Sequence, residues 1–255
     1  MIRIGTSGFS YRDWLGVFYP AGLKERDWLP FYAKHFSTVE LNVTFYRLPA
    51  RRTLDAWIER TPAGFQFAVK AFRGLTHERT APDYEAFAGM VAALAEAGKL
   101  ACVLAQFPPS FRPVPANLEY LERLRQGLAT LPLVVEFRST GWAEPERLAW
   151  LRAAGLSIVS VDEPELPGLP PSGALVTGPL AYVRFHGRNA AHWRSAGWQR
   201  YDYLYTAAEL EQWVPRLRAL EAEARDVLVY FNNTPKGQAI ENVRLLDELL
   251  GKTVP

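Results

Sequence analysis

The sequence has one cysteine, four histidines and very little net charge. Because Cys102 has no second cysteine to pair with, an intramolecular disulfide and a cysteine-rich metal site are excluded. The 29 Lys and Arg residues against 27 Asp and Glu residues give a formal net charge of +2, which is not typical of a dedicated nucleic-acid binder. Any chemistry must therefore come mainly from carboxylates, amides, lysines and arginines.

Long apolar runs are missing as well. No stretch approaches the roughly 20 residues of a membrane helix, and residues 1–8 have neither the apolar region nor the cleavage site of a signal peptide. With a single cysteine, a reducing compartment is the default. We therefore expect a cytoplasmic protein with no membrane partner.

Hydrophobic residues make up 49% of the 255 residues, which is enough to bury a core and excludes a disordered chain. Short apolar runs rich in β-branched residues alternate with segments of helical spacing, which is typical of α/β proteins with a parallel sheet. Eight such runs over about 250 residues predict a (β/α)₈ TIM barrel that occupies residues 1–255 as a single domain. The predicted strands are 3–5, 38–41, 66–70, 100–106, 133–137, 157–161, 181–186 and 227–231.

The connection between the sixth and seventh predicted strands breaks this pattern. Residues 163–179 are crowded with Pro and Gly and have no helical period, so we expect an irregular or missing helix there. The last helix, at about 238–250, carries leucines that would pack on the barrel. The Gly-rich segment 5–8 is too short for a dinucleotide-binding fingerprint.

Nearly every predicted strand stops at a charged or amide residue. In a parallel barrel the carboxyl ends of the strands and the following loops build the active site. Burying an uncompensated charge is costly, so charges directly after apolar runs favour a functional site over a purely structural ring of ion pairs, which is the alternative. The predicted catalytic residues are Glu40, Lys70 and Glu136, and the predicted substrate-binding residues are Ser7, Asn42, Tyr46, Gln106, Arg138, Asp162, Arg184, His186, Arg188, Asn232 and Asn233.

Glu40 and Glu136 are candidates for general acid and base roles, and the alternative is a salt bridge to Lys70 or Arg138. A desolvated Lys70 could serve as a Schiff-base nucleophile or a base, but beside two glutamates it would stay charged. We therefore predict that Lys70 holds an anionic group of the substrate. Arginine guanidinium groups suit the same task, since their planar fork matches carboxylate and phosphate.

A divalent metal is the cofactor that these residues could hold. Its candidate ligands are Glu40, Glu136, Asp162, His77 and His186, although no H-x-x-E-H or H-E-x-x-H spacing is present. Cys102 lies inside an apolar run and is predicted to fill the core rather than to react. We leave the cofactor open, as we do the oligomeric state.

The loops after the first, second and seventh predicted strands are rich in aromatic residues. Aromatic rings near arginines stack on sugars or bases, whereas the alternative is that they pack as small cores under the loops. This composition keeps a second function open, a non-catalytic binder of nucleic acid or nucleotides. The arginines that would serve it are Arg12, Arg47, Arg188, Arg194 and Arg200.

Several motifs together resemble the DUF72 family, also called YecE-like proteins, over nearly the whole chain. They are residues 5–14 (GTSGFSYRDW), 39–46 (VELNVTFY), 67–70 (FAVK), 106–109 (QFPP), 135–138 (VEFR), 183–188 (VRFHGR) and 230–233 (YFNN). The resemblance implies a TIM-barrel fold and no established reaction. The leading hypothesis from the residues is an enzyme, such as a hydrolase, lyase or isomerase, that binds a small anionic or polyhydroxylated substrate at the barrel mouth.

Overall fold

The apolar runs form eight parallel strands, as the alternation predicts. The computed structural model describes residues 1–79, 83–195 and 197–251. The strands follow one another around a barrel in the order β1-β8-β7-β6-β5-β4-β3-β2. They are β1 (Ile2–Thr6), β2 (Thr38–Leu41), β3 (Gln66–Lys70), β4 (Leu100–Gln106), β5 (Leu133–Glu136), β6 (Ser157–Asp162), β7 (Leu180–Phe185) and β8 (Asp226–Phe231).

The barrel closes between β1 and β2, where the two strands approach very closely. Ser7 bridges to Glu40, and the Gly8 amide donates to the Glu40 carbonyl at 2.8 Å. A Cβ added to Gly5 would lie 2.3 Å from the carbonyl oxygen of Thr38, which no real side chain permits. Glycine at this position therefore allows the barrel to close.

Alternation along each strand separates an inner core from an outer one. The inner core fills the barrel with residues such as Ala68, Leu104 and Val134, and its Tyr182 and Tyr230 rings lie 5.1 Å apart. The outer core packs the strands against the surrounding helices. Cys102 belongs to the inner core and is fully buried, as predicted for a core residue.

Helices cover the outside of the barrel, and local signals fix where several begin. The side chain of Asp83 accepts from the Ala86 amide at 2.8 Å, and Thr206 with Glu209 forms a capping box. The helices are α1 (Trp28–Tyr32), α2 (Arg51–Glu59), α3 (Tyr84–Glu96), α4 (Pro115–Gly127), α5 (Pro145–Ala153), α6 (Ala207–Glu211), α7 (Trp213–Glu223) and α8 (Gln238–Leu249).

The connection between β6 and β7 contains no helix, which confirms the prediction for residues 163–179. The predicted last helix forms as α8, one residue shorter than expected. Residues 252–255 of the predicted domain lie outside the described residues. Across the described part of the chain, none of the helices combines the length and apolar character needed to cross a membrane.

Candidate functional site

The polar strand ends converge at the carboxyl end of the barrel. Because Val134 and Tyr182 face the barrel interior, alternation points Glu136 and Arg184 into the mouth above it. By the same alternation, Lys70, Gln106 and Asn232 also point inward. They lie two residues after the inner-core residues Ala68, Leu104 and Tyr230. The mouth residues, which share this inward orientation, are Ser7, Glu40, Asn42, Lys70, Gln106, Glu136, Arg138, Glu163, Arg184, His186 and Asn232.

Arg184 lies between the two predicted catalytic glutamates. Its Nη2 donates to Glu40 Oε1 and its Nη1 donates to Glu136 Oε2, both at 2.7 Å, and all three side chains are buried. Tyr182 adds a hydroxyl donated to Glu40 Oε2 at 2.7 Å. Burial opposes ionisation of Glu136, but Arg138 and Arg184 outweigh it and hold its pKa well below the usual range. Glu136 is therefore ionised and forms salt bridges with Arg138 and Arg184.

Arg138 links Glu136 to a third carboxylate. Its Nη2 lies 2.6 Å from Glu136 Oε1, and its Nη1 donates to Glu163 Oε2 at 2.7 Å. The ring of His186 lies beside this pair, with Nε2 3.1 Å from Arg138 Nη2 and 3.3 Å from Glu136 Oε1. Burial and the two arginines lower the pKa of His186 to about 3, so the ring is neutral at pH 7.

Glu163 is the functional candidate that the sequence analysis missed. It is 3% exposed, and its Oε1 has no hydrogen-bond partner among the described residues. Burial raises its pKa to about 7, although Arg138 opposes this shift. Counting by two from the inward-facing Val161 would have identified Glu163.

Asp162 faces the other way, toward the helices, and this corrects its predicted place among the mouth residues. Its carboxylate accepts from Arg188 at 2.6 and 2.8 Å, from the Tyr205 hydroxyl at 2.8 Å and from Trp213 Nε1 at 2.7 Å. Arg188 is thereby held outside the mouth. Asn233 also points outward, where it donates to Asn242 at 2.8 Å.

Lys70 is half-buried at the end of β3, with its ammonium 4.7 Å above the ring of Phe45. The salt bridge to a glutamate that was weighed for it is not formed, because Glu40 and Glu136 pair with arginines instead. Burial lowers the pKa of Lys70 to about 8, and the charge of Arg184 acts in the same direction. Near neutral pH, part of its population is a free amine.

A cavity of about 560 Å³ opens above β4, β5 and the loops after β6 and β7. Gln106 and Arg138 reach it from the barrel, and Trp193 and Tyr201 supply aromatic walls. A second cavity of equal volume lies at the opposite end of the barrel. The mouth cavity is the better candidate, since barrel enzymes place their chemistry at the carboxyl ends of the strands. It is lined by His77, Gln106, Pro108, Pro109, Arg138, Pro167, Gly168, Leu169, Trp193, Arg194, Arg200 and Tyr201.

The remaining predicted residues lie around this mouth and differ in their burial and in their hydrogen-bond partners. Asn42 donates to Glu40 at 3.1 Å, and Asn232 lies 3.1 Å from the Nδ1 of His186. Ser7 is fully buried, with an Oγ that lacks a partner among the described residues. Tyr46 is 71% exposed and stands at the rim.

The aromatic loop after β1 packs as a small core, which is the alternative weighed for it. Trp14 is fully buried, donates to the Thr234 carbonyl at 2.8 Å and contacts Phe18 and Tyr19. By contrast, Trp198 in the loop after β7 is 56% exposed. Aromatic surface available to a ligand is therefore present in the loop after β7, in addition to the exposed Tyr46 after β2.

The proposed metal ligands do not assemble. In the part of the chain that the structure describes, no three His, Cys, Asp or Glu side chains lie close enough together to hold a metal ion. Glu40 and Glu136 instead hold Arg184 between them, and Asp162 faces outward.

Comparison with known proteins agrees with this barrel and its motifs. The model of the family described as "Protein of unknown function DUF72" matches residues 3–255. The chain belongs to the DUF72 family. A curated relative, the UPF0759 protein YunF of Bacillus subtilis, is 34% identical over 98% of this chain and 95% of its own length. The UPF0759 protein YecE of Escherichia coli is 35% identical over 31% of this chain and 26% of its own length.

Solved DUF72 structures share the whole fold. A DUF72 family protein from Thermotoga maritima is 40% identical, with a TM-score of 0.92 over 99% of this chain and all of its own. One from Enterococcus faecalis is 32% identical, with a TM-score of 0.89 over 100% of this chain and 97% of its own. These relatives confirm the TIM-barrel fold of the DUF72 chain and name no reaction.

Proposed function

We propose that the protein is an enzyme that binds a small anionic, hydroxyl-bearing substrate in the mouth cavity. The observation that carries this proposal is the charge of the cavity wall. Arg138, Arg194 and Arg200 line it together with His77, and no Asp or Glu of the described residues does. Guanidinium groups bind phosphate and carboxylate with paired hydrogen bonds, so a negatively charged ligand fits this wall.

Two of these arginines are free to bind a ligand. Arg194 donates to the Pro167 carbonyl at 3.4 Å, and Arg200 donates to the Ser195 carbonyl at 2.6 Å. Neither forms an ion pair with a carboxylate of the described residues. Because backbone carbonyls carry no net charge, both guanidinium groups keep their full positive charge for an anion.

The acid and base roles fit Lys70 and Glu163 better than Glu40 and Glu136. A general acid or base works best when its pKa is close to the operating pH. The pKa of Lys70 is about 8 and that of Glu163 about 7, whereas Arg138 and Arg184 hold the pKa of Glu136 far below this range. In this proposal Glu40 and Glu136 are positioning residues that fix Arg184 and Arg138.

Thermal shift measurements test the proposal. The purified protein is heated with inorganic phosphate, phosphorylated sugars, nucleotides, carboxylic acids and divalent metals, because specific ligands raise the melting temperature by mass action. We expect phosphate-bearing compounds to raise it, and the Arg194→Met and Arg200→Met variants to lose most of the shift. Arg12→Met, on a loop away from the cavity, serves as the control. An equal shift in all variants, or none from any anion, would reject the proposal.

A second candidate function is the binding of nucleotides or single-stranded nucleic acid. The exposed Trp198 and its neighbour Arg200 favour it, since bases stack on aromatic rings next to cations. Binding of a single-stranded RNA oligonucleotide that weakens steeply with salt, and that Trp198→Ala abolishes, would support this function over the enzyme.

A further inference from the structure

Lys70 carries an amine at the barrel mouth, where the neighbouring carboxylates pair with arginines instead. Glu40 and Glu136 both pair with Arg184 at 2.7 Å, and Glu163 pairs with Arg138 at the same distance. Among residues 1–79, 83–195 and 197–251, no carboxylate pairs with Lys70 Nζ within 4.0 Å. The arginines thereby leave this amine without an anionic partner.

The position of Lys70 is fixed and accessible. The Thr44 hydroxyl donates to the Lys70 carbonyl at 2.6 Å, which anchors the end of β3. The Nζ lies 4.7 Å from the centre of the Phe45 ring, and the ring of His77, which lines the cavity, lies 4.9 Å from that same ring. Lys70 and the cavity-lining His77 therefore contact the same aromatic ring, and the side chain of Lys70 is only half-buried.

We propose that Lys70 forms an imine with a substrate that carries an aldehyde or ketone and an anionic group held by the cavity arginines. This inference rests on the proposed function, because the same arginines bind the anion. It names the substrate class as an anionic carbonyl compound. Lys70 differs from these arginines because its amine can lose its proton and act as a nucleophile, whereas a guanidinium group cannot.

The surroundings of Lys70 suit the first step of this reaction. Burial lowers the pKa of the amine to about 8, and Arg184 and Arg138 act in the same direction against Glu136 and Glu40. His77 faces the same ring, and its pKa is lowered by burial and by the charge of Lys70, so it adds little positive charge at pH 7. A neutral amine is the nucleophile that attacks a carbonyl.

The bonds balance without any further reagent. The lone pair of Nζ attacks the carbonyl carbon, the C=O π pair moves to oxygen, and that oxygen takes a proton to give a carbinolamine. One of the two nitrogen protons passes to solvent water, and the nitrogen lone pair then forms the C=N bond of a protonated imine while the hydroxyl takes up a second proton and leaves as water. Glu163, at the same barrel mouth, has a pKa of about 7 and an Oε1 that is unpartnered among the described residues, so it is suited to supply a proton for this step.

Reductive trapping tests the inference. Pyridoxal 5′-phosphate serves as an aldehyde with a phosphate and a ring, and sodium cyanoborohydride reduces its imine to a stable secondary amine. Peptide mapping by mass spectrometry then compares Lys70 with the exposed Lys24 in the same sample. At pH 7.5 we expect Lys70 to react about 10-fold faster or more, since an ordinary lysine has a pKa of about 10.4 and is almost fully charged.

The pH dependence of the parent protein gives a second readout that needs no variant. Trapping at Lys70 should rise with pH and level off above pH 8, following the free amine. Lys24 provides the comparison in the same samples. Lys70→Arg keeps the positive charge but removes the nucleophile, so this variant should lose the fast labelling while still binding phosphate compounds. Equal rates at both lysines would overturn the inference.

Pyridoxine 5′-phosphate has an alcohol in place of the aldehyde, so it can bind as an anion but cannot form an imine. It therefore tests anion binding in the cavity independently of imine formation at Lys70. If it raises the melting temperature of the parent protein while pyridoxal 5′-phosphate labels Lys24 and Lys70 equally, the cavity binds anions and Lys70 is not a nucleophile. If it gives no shift and labelling is equal, both proposals fail. A shift together with selective labelling supports both.

Discussion

Arg184 on β7 donates to Glu40 on β2 at 2.7 Å, and both side chains are enclosed in the barrel. The same guanidinium holds Glu136 on β5. These three strands are far apart along the chain, so the contacts form only when the barrel is assembled. A single buried cation therefore ties three sides of the mouth together.

Replacing Arg184 with Met should strongly destabilise the protein. The variant leaves Glu40 and Glu136 without the cation that compensates their burial, and breaking a buried ion pair from one side costs about 3–5 kcal/mol. Urea denaturation at pH 7 measures the free energy of unfolding. Arg12→Met, which breaks the exposed Arg12–Glu25 pair, should change it by less than about 1 kcal/mol. Equal losses in the two variants would contradict this prediction.

Asp162→Asn should lower stability without weakening ligand binding. The amide cannot accept both hydrogen bonds from Arg188 and the one from Trp213, so we expect a loss of about 2–4 kcal/mol. Because Asp162 faces the helices, the thermal shift caused by phosphate compounds should be retained. Asp226→Asn, at a largely exposed pair with Arg225, is the control for the charge change. A lost ligand shift with unchanged stability would show that Asp162 belongs to the mouth after all.

Glu163 should make the protein less stable as the pH rises from about 4.5 to about 7. Its pKa is raised from 4.5 to about 7 in the folded state, so the folded protein binds more protons than the unfolded chain within this window. The full shift corresponds to about 3 kcal/mol at 1.36 kcal/mol per pKa unit. Between pH 4.5 and 7 the stability of Glu163→Gln should therefore rise relative to that of the parent protein by about this amount, which stability curves at several pH values measure.

The exposed Glu165 provides a matched control two residues away. Glu165→Gln should give a curve parallel to that of the parent protein. If the Glu163→Gln curve is also parallel, the carboxyl of Glu163 titrates normally and its proposed role as an acid is wrong.

Gly5→Ala should destabilise the barrel where β1 meets β2. The new methyl group would lie 2.3 Å from the Thr38 carbonyl oxygen, so the strands must separate, at a cost of about 2 kcal/mol or more. Gly89→Ala in α3, which has open space around it, should instead stabilise by about 0.5–1 kcal/mol. Thermal melts of the two variants in opposite directions would confirm the prediction, and a neutral Gly5→Ala would refute it.

Strand positions were readable from the sequence because each is an apolar run with a polar stop. The prediction for 66–70 matches β3 to the residue, and the helix-free segment 163–179 was visible from its prolines and glycines. Closure at Gly5 was not predictable, since it depends on how closely β1 approaches β2 once all eight strands have formed the barrel. Such contacts exist only in three dimensions.

Within the site, residue type was predictable and orientation was not. Asp162 and Glu163 are adjacent acids, and a shift of one residue turns a side chain from the mouth to the helices. The register was contained in the sequence, because Val161 and Glu163 share a face, but it required knowing which face is interior. The partner of each glutamate depended on barrel assembly, so the pairing with Arg184 could not be inferred from spacing.

The helix-free connection between β6 and β7 contributes Pro167, Gly168 and Leu169 to the wall of the mouth cavity. A helix in this position would be constrained by its packing on two strands, whereas loop length changes cost little free energy. This wall is therefore the part of the site that evolution can alter most easily. Changes confined to this segment can therefore reshape the cavity wall and leave the buried arginine network intact.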